Sequence, residues 1–550
     1  MHLAYYVADN LRLHDPAGLA RRTLRKPFPA HPARSQGGKD ASLIRSRLCG
    51  VLIGLLWAIS SAGAANAQNR GGVVTAGVEQ DIAGFDPLVV GVYDTGQTAT
   101  AALLFDTLTR IDDEGKVQPR LALSWSSTPN FKKWTFKLRP GVKFHDGTPF
   151  NAQAVVFNYE RMLDPQNHCR CAFYLNAISN LNAPDDLTVV YHLRYPVVQL
   201  PALLSPPVVT NVFHSPKAVK EMGESYNRHP VGTGPFVLKS WQAGDRLVLE
   251  RNPNYWAAGH PYLDQVVIRP LPNAVTRFAS VLSGDVDIVW EDTSDNILKA
   301  RKNPALRVRE YVGSGVSAIV FNTLKPALSD VRVRQALRHA INMRGFAEGV
   351  TEGLRKPALD PYGPGSFVRC AEPGALHYDP AKASELLKSY GKPLKLKFMV
   401  TAEPRGRAIG QIFQEFWKNV GVAVTLDEVD QTTFVTKSFQ RDFEVGGWRI
   451  IDLADPGPQM FADFHTGSAV NIAGYSNPEV DRLLEAARAT SDEAVRSEDY
   501  CKIAQILNKE VPWIWTLQNA YFSIAKAQLM GVHKQYSDVL DVSDAWWEKK

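Results

Sequence analysis

The sequence predicts an α/β protein with more than one domain. From about residue 68 onward, short strand patterns alternate with amphipathic helix patterns, an order typical of α/β folds. A chain of 550 residues with 45% hydrophobic content can bury a large core and is long enough for two to four domains. No unit of roughly 20 to 50 residues repeats, so solenoids and propellers are disfavoured.

An export leader precedes this α/β region. The apolar run Leu48–Ile59 follows Arg45 and Arg47, and the small residues of Ser60–Ala67 end in an A-x-A cleavage pattern. The run has 12 residues, whereas about 20 are needed to cross a bilayer core, so a transmembrane helix is the weaker interpretation. We predict cleavage after Ala67 and a periplasmic mature protein. The stretch before residue 41 has no apolar period, which favours a misassigned start.

The leader also explains the basic charge of the chain. Residues 1–67 contain nine Lys or Arg and three Asp, a net charge of +6, and the net charge of the whole chain is also +6. The mature part is therefore neutral overall, and the charge gives no indication of a nucleic-acid partner.

The first clear elements lie near residue 134. Residues 134–138 alternate apolar and polar side chains, as a half-buried strand requires. Pro140-Gly141 predicts a turn, residues 142–145 alternate again, and Asp146-Gly147 predicts a second turn. The pattern indicates a β-hairpin.

Three helices are predicted from their first residues. Asn151 and Asp330 are expected N-caps, and Asn477-Pro478 combines an N-cap with proline at the first helical position. Their apolar stripes favour core packing. The stripes are Val155, Tyr159, Met162 and Leu163; then Val333, Ala336, Leu337, Ala340 and Ile341; then Val480, Leu483, Leu484 and Ala487.

Few residues suggest catalysis. The chain contains no H-E-x-x-H, G-x-S-x-G, Walker or C-x-x-C motif. The Gly232–Pro235 segment lacks the Lys of a phosphate loop and precedes a strand pattern, so it predicts a turn. His145-Asp146 is explained by turn chemistry. We therefore expect no catalytic site, no metal site and no cofactor.

Four cysteines follow the leader: Cys169, Cys171, Cys370 and Cys501. The cluster His168–Cys171 offers an imidazole and two thiolates that could contribute to a zinc site. A disulfide is favoured by the exported context, but the sequence leaves the pairing open.

Three blocks resemble the family 5 extracellular solute-binding proteins, which serve dipeptide, oligopeptide, opine and nickel importers. The blocks are Leu121–Trp125 with WTFKLRPGVKFHDGTPFNA from Trp134, VGTGPF from Val231 with LERNPNYW from Leu249, and DVRVRQA from Asp330 with Ala340–Asn342. Their order and spacing match the family over nearly the whole mature chain.

The resemblance implies a two-lobed periplasmic-binding-protein fold of the class II type, with an extra small domain in lobe I. Residues 1–67 would be the extension and signal peptide, 68–318 lobe I, 319–516 lobe II, and 517–550 a return to lobe I. Two crossing strands would join lobes that close on a ligand. The partners implied are a peptide or peptide-like solute, an ABC permease and a separate ATPase, with the receptor acting as a monomer.

The resemblance also implies a ligand site in lobe II. Peptide-binding members use a Gly-Trp-x-x-Asp segment whose Asp holds the ligand ammonium, and Gly447, Trp448 and Asp452 match it with one extra residue. A carboxylate is the partner that a desolvated ammonium needs. The alternative is that Asp452 and Asp455 cap backbone amides near Pro456.

Other positions of the family pattern match less well. Dipeptide binders carry an Arg for the ligand carboxylate before the segment at 401–407, and no Arg stands there, because Arg405 and Arg407 better match the start of a helix. Arg449 could bind an anionic group, and Tyr93 or Asp94 would face the cleft from lobe I.

Competing functions stay open from the sequence. The solute could be an opine, a nickel chelate or a sugar derivative instead of a peptide. Two alternatives come from other functional classes. One is an exported peptide hydrolase that uses His145, Asp452 and a Ser, and the other is a periplasmic holdase.

Overall fold

Strands and helices alternate along residues 68–549, the part that a computed structural model describes, apart from 91–94, 114, 207 and 534–539. The strands are β1 (Val73–Val78), β2 (Thr109–Ile111), β3 (Val117–Pro119), β4 (Ala122–Ser127), β5 (Lys133–Leu138), β6 (Ile178–Asp185), β7 (Thr188–Leu193), β8 (Phe236–Gln242), β9 (Arg246–Arg251), β10 (Gln265–Pro270), β11 (Ile288–Glu291), β12 (Leu306–Phe321), β13 (Lys395–Thr401), β14 (Ala423–Val429), β15 (Val445–Arg449), β16 (Trp513–Lys526), β17 (Leu529–Met530) and β18 (Trp546–Trp547). The helices are α1 (Pro87–Val90), α2 (Thr95–Leu104), α3 (Ala152–Leu163), α4 (Leu200–Leu203), α5 (Pro216–Met222), α6 (Ala274–Ser283), α7 (Ser294–Arg301), α8 (Val331–His339), α9 (Met343–Thr351), α10 (Pro380–Tyr390), α11 (Pro404–Lys418), α12 (Gln431–Gln440), α13 (Gly457–Phe464), α14 (Pro478–Ala487) and α15 (Glu493–Glu510). The predicted leader and its cleavage site lie outside the described residues.

One mixed sheet of ten strands runs through the protein in the order β14-β13-β15-β12-β16-β11-β1-β10-β9-β8. Its two central strands are the long ones, β12 with 16 residues and β16 with 14, and they pair antiparallel over most of their length. Parallel pairs flank them on both sides: β13 with β14 and β15, and β1 with β10 and β11. Two half-sheets are thus joined by two long strands, as the two-lobed fold requires.

Each half-sheet has its own hydrophobic core. The core around β1 gathers residues between Val74 and Ile288 and, from the chain's return, Ala525, Leu529, Leu540, Val542 and Ala545. The cores around β13 and β15 draw their residues from 316–517. We call the first half lobe I and the second lobe II. The boundaries 68–318, 319–516 and 517–550 stay a prediction.

Lobe I carries a separate four-stranded antiparallel sheet in the order β4-β5-β7-β6, against which α3 packs. In β5, Trp134, Phe136 and Leu138 are buried, as their alternation predicts. This unit is the extra small domain of the two-lobed fold.

The predicted hairpin between β5 and residues 142–145 is wrong. β5 pairs with β4 and β7, whereas Lys143 bridges to Pro149 within a local turn. The Pro140-Gly141 turn is present, with Gly141 at φ +76°. The two partners of β5 are β4, which precedes it in the chain, and β7, some fifty residues later, and local alternation does not show which strand pairs.

The predicted helix starts are confirmed. The side chains of Asn151, Asp330 and Asn477 accept hydrogen bonds from first-turn amides of α3, α8 and α14. Their stripes are buried, although Leu163 is half-buried and α8 ends at His339, before Ala340 and Ile341.

The four cysteines form two disulfides, Cys169–Cys171 and Cys370–Cys501. The thiols considered for a zinc site are thus bonded to each other. Across the described ranges, no three His, Cys, Asp or Glu side chains are grouped to hold a metal ion. None of the described helices has the length and apolar character that a membrane crossing needs.

Candidate functional site

A cavity of about 1880 Å³ lies where β12 and β16 connect the lobes. It exceeds the roughly 300 to 1,000 Å³ of common small-molecule sites. Lobe I lines it with Tyr195 and Asp292, lobe II with Trp448 and Arg488, and the connecting strand β16 with Asn519 and Tyr521. Both lobes and their connection therefore contribute to one site.

Four of the five residues predicted for ligand binding line this cavity. Gly447, Trp448 and Arg449 form the end of β15, and Asp452 follows three residues later. Because β15 lies between β13 and β12, its end opens at the connection between the lobes. The fifth, Tyr93, lies outside the described residues.

Asp452 is fixed by both connecting strands. The residue is only 4% exposed, and its Oδ1 accepts a 2.7 Å hydrogen bond from the Gly315 amide of β12. Oδ2 accepts hydrogen bonds from Asn519 Nδ2, at 3.2 Å, and from the Tyr521 hydroxyl, both on β16. These three donors are uncharged groups, and together they fix the orientation of the carboxylate.

The partners of Asp452 were missed by the sequence analysis. Gly313-Ser314-Gly315 interrupts β12, and the β12–β16 register shifts between Val312 and Val316. Glycine within a strand pattern is a recognised signal for a bulge or a close backbone approach. Asn519 and Tyr521 carry no such signal, since they are ordinary residues of an apolar strand.

Asp455 has a different role from Asp452. It forms a buried ion pair with Arg496 of α15 and accepts a 2.9 Å hydrogen bond from the Gly457 amide, and it is absent from the cavity lining. Asp455 therefore fits the alternative interpretation, in which it caps a backbone amide near Pro456.

One wall of the cavity is aromatic. Trp448 stacks on Phe434 with ring centres 6.4 Å apart, and the Phe439 ring meets it edge-on at 6.0 Å. Both phenylalanines belong to α12, and Phe439 is 45% exposed. The wall offers apolar surface to a ligand next to the polar groups around Asp452.

Arg405 and Arg407 lie at the start of α11, as predicted. Arg405 reaches across the cleft to Asp292 of lobe I, with 2.5 Å between Nη1 and Oδ2. Arg407 stays within lobe II and pairs with Glu428 at 2.7 Å. No Arg stands directly before the segment 401–407, and Thr401, its first residue, lines the cavity.

A second contact between the lobes is made by Arg488. Its guanidinium lies 4.1 Å from the centre of the Phe461 ring and 4.6 Å from that of Tyr195 in lobe I. Tyr195 and Phe461 stack at 6.4 Å. Burial raises the pKa of the Tyr195 hydroxyl.

Asp463 lines the same cavity from α13. It is 3% exposed and its Oδ2 accepts a 2.6 Å hydrogen bond from Gln459. Burial raises its pKa to about 8, so the group is mostly protonated at neutral pH.

The residues considered for hydrolysis do not assemble. His145 is held by the backbone of Gly232 and Gly234, at 3.3 and 3.1 Å, and it is not part of the cavity lining. Desolvation lowers its pKa. Asp452, in contrast, lies in the cavity.

Taken with this geometry, the two-lobed fold with a ligand-sized cleft at its connecting strands defines a solute-binding receptor. The chain belongs to the bacterial extracellular solute-binding proteins, family 5, whose model (the family 5 middle region) matches residues 116–471.

Individual relatives agree with this assignment. The glutathione-binding protein GsiB of Pectobacterium atrosepticum is 29% identical over 465 residues, covering 82% of this chain and 90% of the relative. The probable D,D-dipeptide-binding periplasmic protein DdpA of Escherichia coli K12 is 29% identical over 417 residues, covering 74% and 80%. Among solved structures, the Helicobacter pylori periplasmic binding protein DppA with peptide STSA superimposes with a TM-score of 0.77, at 24% identity, covering 88% and 99%.

Proposed function

We propose that this protein captures peptides or peptide-like solutes with a free ammonium group and delivers them to a membrane permease driven by a separate ATPase. The observation that carries the proposal is the Asp452 carboxylate, buried in the cleft and oriented by both connecting strands. A cationic group that leaves water to enter such a cleft requires a charged hydrogen-bond partner.

The cavity supports a ligand longer than a dipeptide. Its volume of about 1880 Å³ is large, and no Arg precedes the segment 401–407 to fix a carboxylate at dipeptide distance. Arg405, the nearest cation of that segment, pairs with Asp292. Relatives named for glutathione and a solved structure with the peptide STSA point in the same direction.

The aromatic wall and Arg449 are the proposed specificity elements beside Asp452. Trp448 and Phe439 would contact apolar side chains of the solute, while Gly447 keeps the strand end open, since a Cβ there would meet nothing within 4 Å. Tyr93 remains a proposed contact from lobe I.

The proposed site of action is the periplasm, after cleavage behind Ala67, with the protein acting as a monomer and without catalysis. Mass spectrometry of the mature N-terminus from an exporting host tests the cleavage. The molar mass of the same protein, measured by light scattering, tests whether it is a monomer.

The ligand is tested on residues 68–550 by thermal shift with glutathione, tetra-alanine and its N-acetylated form. At about 100 times its dissociation constant, a ligand adds about 2.7 kcal/mol of stability. Free tetra-alanine or glutathione should raise the melting temperature and the N-acetylated peptide should not.

Asp452→Asn should weaken binding roughly 30-fold to several thousand-fold, because removing one partner of a buried charged pair costs about 2–5 kcal/mol. Asp442→Asn, an exposed site outside the cleft, is the matched control. Equal binding of free and acetylated peptides, or stabilisation only by an opine, a nickel chelate or a sugar derivative, would overturn the ammonium proposal.

A further inference from the structure

A long segment without helices or strands packs on the bulge that holds Asp452. It connects α9 to α10, and its Gly363 and Gly365 amides donate to Ser314 O at 2.7 Å and Gly313 O at 3.1 Å. A Cβ on Gly363 would lie 2.4 Å from Gly313 O, so only glycine allows this approach. The loop is therefore in direct backbone contact with the bulge.

The same bulge contacts the Asp452 segment. The Gly315 amide donates to Asp452 Oδ1 at 2.7 Å, and the Ser314 hydroxyl donates to Leu453 O at 2.7 Å. A Cβ on Gly313 would lie 2.0 Å from Asp452 Oδ1. Residues 313–315 thus touch both the loop and the carboxylate, and a shift of the loop is transmitted through close-packed backbone.

The loop is also attached to α15. Cys370 is bonded to Cys501, the Arg369 amide donates to Ser497 Oγ at 2.9 Å, and the Tyr362 hydroxyl donates to Tyr500 O at 2.9 Å. The disulfide closes a separation of 131 residues. Loops beyond about 12–15 residues without regular structure are usually functional or disordered, and a covalent link restricts the disordered alternative.

We propose that the Cys370–Cys501 disulfide and the 360–370 loop position Asp452, by holding the 313–315 bulge from the side of α15. The loop residues are positioning residues, since their effect on the solute passes through the bulge. The expected change in ligand affinity rests on the proposed function. The positioning of Asp452 in the ligand-free protein does not depend on it.

The first experiment measures amide hydrogen exchange of ligand-free residues 68–550, well below the melting temperature. In the C370S/C501S double variant, peptides covering 313–315 and 450–455 should exchange about tenfold faster, because local opening becomes easier. Peptides of β1 and β10 in lobe I should not change. The matched control is C169S/C171S, which removes the lobe I disulfide and should leave 313–315 and 450–455 at the wild-type rate.

A second variant moves the loop with the disulfide intact. Gly363→Ala should accelerate exchange in the same two peptides, because its Cβ displaces the loop from the Gly313 and Gly315 carbonyls. Gly446→Ala is the control, since a Cβ there meets the Phe443 ring at an ordinary 3.5 Å. Unchanged exchange at 313–315 and 450–455 in both C370S/C501S and G363A would overturn the inference.

Ligand binding separates this inference from the proposed function. If wild-type protein binds tetra-alanine or glutathione, C370S/C501S and G363A should weaken that binding about tenfold, while C169S/C171S binds normally. Binding that is unchanged in both variants counts against the positioning role. If the wild type binds no ammonium-bearing probe, the proposed function fails, and the exchange measurement still decides the inference.

Discussion

Arg405 Nη1 lies 2.5 Å from Asp292 Oδ2, and this ion pair joins lobe II to lobe I across the mouth of the cleft. Asp292 also has a cation of its own lobe nearby, with Arg277 Nη2 4.0 Å away. Opening of the lobes would break this pair. We therefore expect the equilibrium between open and closed lobes to depend on this contact as well as on ligand.

Arg405→Ala should shift the ligand-free protein toward the open state. The Arg405 side chain is 52% exposed, so the pair contributes only about 0.2–1 kcal/mol. Its loss should therefore change the ratio of open to closed protein by roughly 1.4- to 5-fold. Small-angle scattering of ligand-free protein should show a larger radius of gyration. Arg407→Ala, which loses a pair within lobe II, is the control and should scatter as wild type. Identical scattering of both variants and wild type would show that the pair does not hold the lobes.

Asp455→Asn should destabilise lobe II strongly. It leaves the buried Arg496 guanidinium without its carboxylate, a loss of about 3–5 kcal/mol for buried pairs. Urea unfolding should show a lower midpoint. The exposed pair of Asp245 with Arg246 supplies the control, and Asp245→Asn should leave the midpoint unchanged. A midpoint equal to wild type for Asp455→Asn would contradict a structural role.

Asp463 should make stability fall as the pH rises. Burial raises its pKa from 3.8 to about 8, so above pH 4 the unfolded chain loses a proton that the folded protein keeps. The resulting loss of folding stability grows with pH until the pH passes about 8, where the folded protein also loses the proton. Asp463→Asn should therefore melt like wild type near pH 4 and at a higher temperature by pH 8. A constant difference between the two proteins across this range would rule out the shifted carboxyl.

His533 should stabilise the protein on the acidic side of its titration. Its hydrogen bond to Asp544, 2.5 Å from Nε2 to Oδ2, raises its pKa from 6.5 to about 9. The folded protein holds this proton more tightly, so the stabilisation is complete below pH 6.5 and lost as the pH rises through about 9. His533→Asn should lower the melting temperature at pH 6 and have little effect at pH 10. The exposed His377 supplies the control, and His377→Asn should leave the melting temperature at pH 6 near that of wild type.

Local features of the fold were predictable, and long-range pairing was not. Asn151, Asp330 and Asn477 cap helices because each cap bonds amides two or three residues away. The hairpin prediction for β5 was wrong because turn signals identify a reversal of the chain but not the strand that pairs. The two disulfides could not be assigned, since four cysteines allow three pairings.

By itself, the sequence determined the class of the protein and the position of a carboxylate in the segment after Trp448. Its apolar periods, caps and family blocks are properties of neighbouring residues or of their order along the chain. Only the tertiary structure decided that Asp452 faces the cleft while Asp455 pairs with Arg496. The partners of Asp452 lie 67 to 137 residues away, so packing of the two connecting strands, and no local pattern, brings them together.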